Sequence, residues 1–518
     1  MYAELVLFNG EVISVDEKFS IYSAIAVKDD TIIKVGEDEE VKKMIKGSTI
    51  AIDLKGMTVL PGFIDSHVHF TQTGLDEMVL NASGFSTMYE FFNGLKQFAE
   101  DIENERWVIA VGFDEGKISD GRMPTKKDLD QLSISNPVFI SRVDAHSCAV
   151  NSKGLELLEI DEKIVGQDKD EKGNVQGIFR AKANGIVREK LTDFITDNER
   201  KAALHLAAKL ALKQGVTTIH ALEGGSLFSD NDVSVIELEK VKLPINITIF
   251  HQIMDVDKVK KEGFSRIGGC IIIDGSIGSF TAAFEEPYAD PPDSKGCLYY
   301  TDEEVYRFVA QAHNEGMQIS THCIGDRAIE QMINTYEKCL SGKECRDHRH
   351  RIEHFSIPTV DQINRAAQLG LVISTQPVFN YYDKDSMYEK RLGKERANRA
   401  FPLNTMIKKG MLVTGGSDSP ITPINPLLGI HSAVNHSNIK EGISIKEAIK
   451  LFTINGAKAI FQENDRGSLE VGKKADIVML NENPLKIDQS LIKDIKVLMT
   501  IVNGKIQYPK EEKFRALR

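Results

Sequence analysis

The sequence predicts an α/β chain: a (β/α)8 barrel, a composite β-sandwich drawn from both termini, and an inserted α/β subdomain. Three observations carry this. Eight short runs of β-branched and apolar residues recur between residues 58 and 417, most of them separated by amphipathic helical stretches. Both ends of the chain show strand-and-hairpin patterning instead. The first and second barrel runs lie roughly 150 residues apart, far more than a βα unit needs, so a subdomain is inserted there.

Taken in order, the N-terminal stretch alternates strands and turns: Ala3 to Phe8, the turn Asn9-Gly10, Glu11 to Val15, Ser23 to Lys28, the turn Asp29-Asp30, and Thr31 to Val35. Near the other end, Ile477 to Leu480 and Lys496 to Val502 read as strands, the latter closing at Asn503-Gly504. Residues 1–56 with 464–518 therefore form the sandwich. The barrel takes residues 57–75 with 200–463, its strands being Thr58 to His69, Thr217 to His220, Ile245 to Gln252, Cys270 to Asp274, Gln318 to Cys323, His350 to His354, Val372 to Gln376 and Leu412 to Ser417. Helices fall between them, as in Asn198 to Gln214, Asp302 to Glu315, Arg327 to Cys339, Thr359 to Gln368 and Ser444 to Ile454. Residues 76–199 make the insertion near the barrel mouth.

With 518 residues, 42% of them hydrophobic and 27% charged, the chain has ample core material and reads as an ordinary soluble protein. A net charge of -12 offers no basic stripe, which argues against nucleic acid and anionic membranes and leaves a small-molecule substrate. A homo-oligomer stays open. The start Met1-Tyr2-Ala3-Glu4 lacks the features of an export signal, so a cytoplasmic address is expected. Cys148, Cys270, Cys297, Cys323, Cys339 and Cys345 show no Cys-x-x-Cys spacing, and reduced thiols are expected.

Chemistry concentrates in Leu60-Pro61-Gly62-Phe63-Ile64-Asp65-Ser66-His67-Val68-His69. Residues two apart in a strand share a face, so Asp65, His67 and His69 point together. His322 ends the fifth run, His354 the sixth, and Asp418 follows the eighth. Each thus stands at the C-terminal end of a different strand, where barrel enzymes gather their reactive groups.

In the segments PGFIDSHVH, DGSIGSFTAAFEEPY, HCIGDRA, RIEH and GGSDSP, with RVDAHSCAVNS in the insertion and GSLEVGKKADIVML near the end, the chain resembles the amidohydrolase superfamily. The likeness is to its third amidohydrolase branch, the YtcJ-like and N-substituted formamide deformylase-like proteins, and it spans nearly the whole chain. It implies a metal-dependent hydrolase TIM barrel beside a composite sandwich. It also implies that His67 and His69 bind one metal with Asp418, while His322 and His354 either bind a second or divide into ligand and substrate polariser. The implied cofactor is Zn2+ and the implied reaction is cleavage of a non-peptide C–N bond, in a linear amide, formamide or cyclic amide, by a metal-bound hydroxide. Asp418 would move the proton from water to the leaving nitrogen, and His354 or the metal would stabilise the oxyanion. Hydrolysis of an ester or phosphotriester, and a non-catalytic metal-free barrel homologue, are the competing readings.

Two positions depart from the family pattern. Relatives carry a lysine four residues before Asp-Gly-Ser, where this chain has Cys270. Its short stem favours a buried apolar cysteine over a metal or supporting role. Where relatives have glutamate the chain has Ala181; Lys182 beside it reads as a solvated helix lysine, a part at the metal being the alternative. With both positions changed, one zinc ion is favoured over a pair. Asp274 is either a support for metal ligands or a turn former, and His146 and His220 are substrate contacts or structural histidines. Gln376, Phe280, Tyr381, Tyr382 and His436 are substrate-contact candidates by position alone. His348 and His350 form a second His-x-His pair, discounted because it enters the sixth strand at the stability face. Asp326 and Arg327 read as caps of the following helix.

Overall fold

The computed structural model describes residues 2–160, 164–225, 228–341, 347–383 and 386–509; Cys345 lies outside them. Eight parallel strands form the central sheet: β1 (Phe63–Val68), β2 (Val216–Glu223), β3 (Asn246–His251), β4 (Arg266–Ile267), β5 (Gln318–Cys323), β6 (Arg351–His354), β7 (Val372–Thr375) and β8 (Leu412–Gly415). They pair in chain order, and β8 returns to β1 through a parallel bridge between Val68 and Ser419. The seam is tied by two backbone bonds, Asp418 N–H to the His67 carbonyl at 2.8 Å and His69 N–H to the Ser419 carbonyl at 2.9 Å. Helices including Asp197–Lys213, Asp302–Asn314, Asp326–Leu340 and Val360–Gln368 surround the sheet. Their buried faces, with the outward residues of the strands such as Ile219, Ile319, Ile352 and Ile373, make the largest apolar core.

Two of the expected strands are corrected. The run Thr58 to His69 is broken at Gly62: Thr58–Pro61 pairs antiparallel with Ile477–Leu480 in the terminal sheets, and only Phe63–Val68 enters the barrel. A Cβ at Gly62 would stand 2.2 Å from Thr217 Cγ2, so the crossing between the two sheets needs glycine. The run Cys270 to Asp274 is not the fourth strand either. Gly268 and Gly269, both at positive φ, turn the chain out of the ladder after Ile267. The segment beyond them then rides along β5, with the His322 N–H bonded to the Ile271 carbonyl at 2.9 Å and the Ile273 N–H to the His322 carbonyl at 3.2 Å. This detour carries Cys270 over the barrel mouth.

The terminal sheets combine both chain ends. One orders Thr31–Gly36, Ala24–Lys28, Leu5–Phe8 and Ile50–Asp53; the other orders Lys505–Tyr508, Val497–Val502, Ile477–Leu480, Thr58–Pro61, Glu11–Ile13 and Ile21–Tyr22. Leu7, Ile25, Ile52, Val59, Ile477 and Ile501 are among the residues that fill the core between them. Between β1 and β2 a further six-stranded sheet holds Leu80–Asn81, Val108–Phe113, Val138–Arg142, Ser147–Val150, Gln167–Lys169 and Val175–Arg180, with helices Met88–Glu100 and Ala181–Thr192 against it. Among the described residues, no helix is long and apolar enough to cross a membrane. Cys148, Cys270, Cys297 and Cys323 are free thiols.

Helix Phe70–Asp76 follows β1 directly and packs on Asp197–Lys213 so closely that a Cβ at Gly74 would lie 1.8 Å from the Ala203 carbonyl oxygen. Backbone cannot yield as a side-chain tip can. Gly74→Ala is therefore expected to lower the chemical unfolding midpoint by the equivalent of about 1–3 kcal/mol. Gly47→Ala, whose Cβ would meet nothing within 4 Å, serves as the control.

Candidate metal centre

Six side chains from five places in the barrel converge at its C-terminal mouth. His67 and His69 come from the end of β1, His322 from β5, His354 from β6, Asp418 from the loop after β8, and Cys270 from the detour after β4. All six are buried. Three overlapping groups, His67-His69-Cys270, Cys270-His322-His354 and His67-His354-Asp418, each bring their ligand atoms within 4.8 Å of one another. The Cys270 sulfur lies 3.6 Å from His322 Nδ1 and 3.7 Å from His354 Nε2. Asp418 Oδ1 lies 3.0 Å from His67 Nε2 and 3.3 Å from His69 Nε2.

Each imidazole has one nitrogen engaged by a fixed oxygen. His67 Nδ1 donates to Glu353 Oε2 at 2.7 Å, and His69 Nδ1 donates to the Leu222 carbonyl at 2.9 Å. His322 Nε2 donates to the Gly275 carbonyl at 3.2 Å, and His354 Nδ1 donates to Gln376 Oε1 at 2.7 Å. An acceptor on one nitrogen puts the proton there and leaves a lone pair on the other. Four lone pairs thus face the cluster. His67 Nε2 is buried and has no well-aligned hydrogen-bond partner despite its 3.0 Å approach to Asp418, as a coordinating atom requires. A set of imidazole nitrogens with one sulfur and one carboxylate fits a zinc-like ion better than magnesium or calcium, which prefer oxygen.

The support for His67 runs deep. Arg351, fully buried, bonds Glu353 Oε1 through Nε at 2.8 Å, and Ser320 donates to the same carboxylate. Burial alone would raise the Glu353 carboxyl, but the Arg351 charge and the His67 bond outweigh it and hold the group down at about 2. Burial also opposes the ionised forms of Cys270 and Asp418, yet their contacts with His67 and the surrounding imidazoles hold both well below their ordinary values. Burial pushes Asp65 and Asp274 up to about 6. Two of the six residues have left-handed backbone, His354 at φ +70° and Asp418 at φ +58°. Such conformations cost energy in non-glycine residues and persist where the surroundings enforce them.

The sequence reading placed His67, His69, His322, His354 and Asp418 together, and the structure brings them together. Cys270, which the sequence leaves between a buried apolar cysteine and a metal or supporting role, is buried and is brought by the glycine turn into two of the three ligand groups. Lys182 is exposed on helix Ala181–Thr192 and is not among the residues that line the space over the cluster. His220 is corrected as a substrate contact, since it is fully buried in the barrel interior with Nδ1 3.0 Å from Arg351 Nη1. Gln376 is likewise buried and spends its carbonyl oxygen on His354, so it positions a ligand instead of meeting substrate. Asp274 supports the site: it accepts the N–H groups of Ala283, Ile324 and Gly325 and sits 3.7 Å from His322 Nε2.

A cavity of about 1340 Å³ lies over the cluster, with Cys270, His322 and Asp418 on its barrel side and Arg142 and His146 on the insertion side. His146 faces His322 with ring centroids 6.3 Å apart, and burial lowers its pKa to about 4, so it is neutral at physiological pH. Phe280 and Tyr382 also line the cavity. His436 instead bonds the Phe401 carbonyl at 3.1 Å, and Tyr381 packs edge-on against His431. His350 accepts the Ile319 N–H at 3.1 Å and lies 2.9 Å from His313, at the opposite end of β5 from His322. Asp326 accepts the Glu285 N–H at 2.9 Å. The residues missed are Arg351 and Glu353. Alternation along β6 puts these two on the inward face and His354 outward, and only the positive φ at His354 re-aims its ring beside them.

The amidohydrolase family model matches residues 51–508, and the chain belongs to that family. Among its relatives is YtcJ of Bacillus subtilis, 31% identical over 518 residues that cover 94% of this chain and 96% of YtcJ. N-substituted formamide deformylase of Arthrobacter pascens is 24% identical over 545 residues, 98% of each chain. The crystal structure of an uncharacterized metal-dependent hydrolase from Pyrococcus furiosus matches with a TM-score of 0.76 at 28% identity, over 93% of this chain and 100% of that one.

Because Gln376 fixes the proton on His354 Nδ1, Gln376→Leu is expected to weaken affinity for a divalent metal ion by roughly 10- to 100-fold. Competition with a chromogenic chelator reads this directly. Unchanged affinity would show that His354 needs no such support.

Proposed function

We propose that the protein is a zinc-dependent hydrolase that cleaves a non-peptide carbon–nitrogen bond of a small molecule, in a linear amide, formamide or cyclic amide. One observation carries the reading: four imidazoles with their free nitrogens turned onto one cluster that also holds a thiol and a carboxylate, beneath an open cavity. His67 and His69 form one half of the cradle and His322 and His354 the other. Cys270 belongs to a ligand group on each side, so these residues would hold two ions with Cys270 common to both sets, where the sequence favours a single ion. Zinc held there supplies Lewis acidity, drawing charge from a carbonyl and making a water far more acidic than in bulk.

The chain's own groups do the rest. Asp418 engages His67 and His69 through Oδ1, which leaves Oδ2 as the oxygen for a further partner, and the residue lines the cavity. Held ionised, that oxygen can accept a proton from water and return it to the leaving nitrogen, which needs contact with both. His354 is occupied on Nδ1 by Gln376 and faces Cys270 through Nε2, so it serves as a ligand and not as a proton carrier. The relative that is named for deformylating N-substituted formamides supports the choice of bond.

A panel of N-formyl and N-acyl amines, with esters and phosphotriesters beside them, tests the reading through amine release. Turnover of amides that chelation abolishes and zinc restores is the expected result; turnover of esters or phosphotriesters alone would overturn it. Asp418→Asn is expected to cut kcat by roughly 10²–10⁴-fold while the protein still binds metal. Elemental analysis of Cys270→Ser should show fewer bound ions than the parent, and an unchanged count would remove the shared thiolate.

A further inference from the structure

The insertion contributes a buried cation that the chemistry above does not use. Arg188, on helix Ala181–Thr192, is only 8% exposed and lines the same cavity as the cluster. Its Nε donates to Asn184 Oδ1 at 3.3 Å and its Nη2 to the Ser141 hydroxyl, and the guanidinium lies 5.4 Å from the centre of the Phe139 ring. All three partners are neutral. Among the described residues no carboxylate comes within 4.0 Å of it, whereas neighbouring Arg142 is matched by both Glu115 and Asp144. Among the described residues Nη1 has no hydrogen-bond partner, and the side chain lines the cavity. A buried charge without a counter-ion is costly, and the usual compensation is an anion supplied from elsewhere.

The position relates this cation to the cluster. Asn184, which steadies Arg188, also donates to the Ala145 carbonyl at 2.9 Å, and the next residue, His146, faces His322. The guanidinium and the ligand cluster therefore stand on two walls of one cavity.

We propose that Arg188 binds a carboxylate on the substrate, so that the natural substrates are amides or formamides of amino acids or related acids. This rests on the amide-hydrolysis reading given above. The planar guanidinium, held by Asn184 and Ser141 and backed by Phe139, offers Nη1 to the carboxylate while the amide lies over Cys270 and Asp418. Asp76, which burial pushes up to about 6, and Asp144 act on this guanidinium only from beyond ion-pair distance.

The test compares N-formyl and N-acetyl amino acids with their neutral methylamides on the zinc-loaded protein. The parent is expected to favour the acids in kcat/KM by roughly 100-fold, and Arg188→Gln to abolish that preference through loss on the acid, with turnover of the methylamide held within about threefold. Arg188→Lys should recover part of the preference. Equal losses on both compounds, or a parent indifferent to the carboxylate, would overturn the proposal. If neither compound is turned over, the amide reading fails by itself, and calorimetric binding of N-acetylglycine still decides the subsite. Binding at least tenfold weaker in Arg188→Gln than in the parent supports it, and equal binding overturns it.

Discussion

The structure depends on a single repeated constraint: every imidazole at the barrel mouth has one nitrogen bound to a fixed oxygen. Glu353, the Leu222 carbonyl, the Gly275 carbonyl and Gln376 come from four different parts of the barrel, and together they decide where four protons sit. Free histidines would interchange tautomers and rotate, diluting any ligand set. Here orientation is settled by the fold before an ion arrives, and a metal meets lone pairs already facing inward.

That constraint reaches into the barrel's closure. Arg351 bonds Glu353 and also the Ser66 carbonyl at 2.7 Å, linking β6 to β1 across the interior. Asp418 and His69, both in the cluster, supply the backbone N–H groups that tie the end of β8 to β1. The Ser417 N–H bonds Asp65 at 2.9 Å on the same seam. Ligand geometry and barrel closure are thus one set of interactions. The strained backbone at His354 and Asp418 is paid for by this dense network.

Much of the architecture is legible in the sequence because it follows from periodicity. The inward side chains of β1 and β5 obey simple alternation, so His67, His69 and His322 can be assigned from spacing and from position at strand ends. What resists reading is whatever depends on a departure from regular structure. The fourth strand is two residues long, and only the positive φ values at Gly268 and Gly269 reveal that Cys270 swings over the mouth. His354 violates alternation for the same kind of reason, which hides the inward pair Arg351 and Glu353 beside it. Gln376 follows the end of β7 as expected, but β2 runs past His220 to Glu223 and leaves His220 inside the barrel; buried partners claim both residues, and no pattern in the chain announces those partners. Arg188 is one arginine in an amphipathic helix until packing shows that it is buried with no carboxylate within 4.0 Å among the described residues.

Anomalous diffraction at the zinc edge, on crystals grown with zinc, tests the central claim most directly. The account predicts strong peaks between the two histidine pairs, at about 2.3 Å from the Cys270 sulfur and on the inward nitrogens of the four rings. Peaks located elsewhere, or histidine rings turned so that the engaged nitrogens bind the ion, would contradict it.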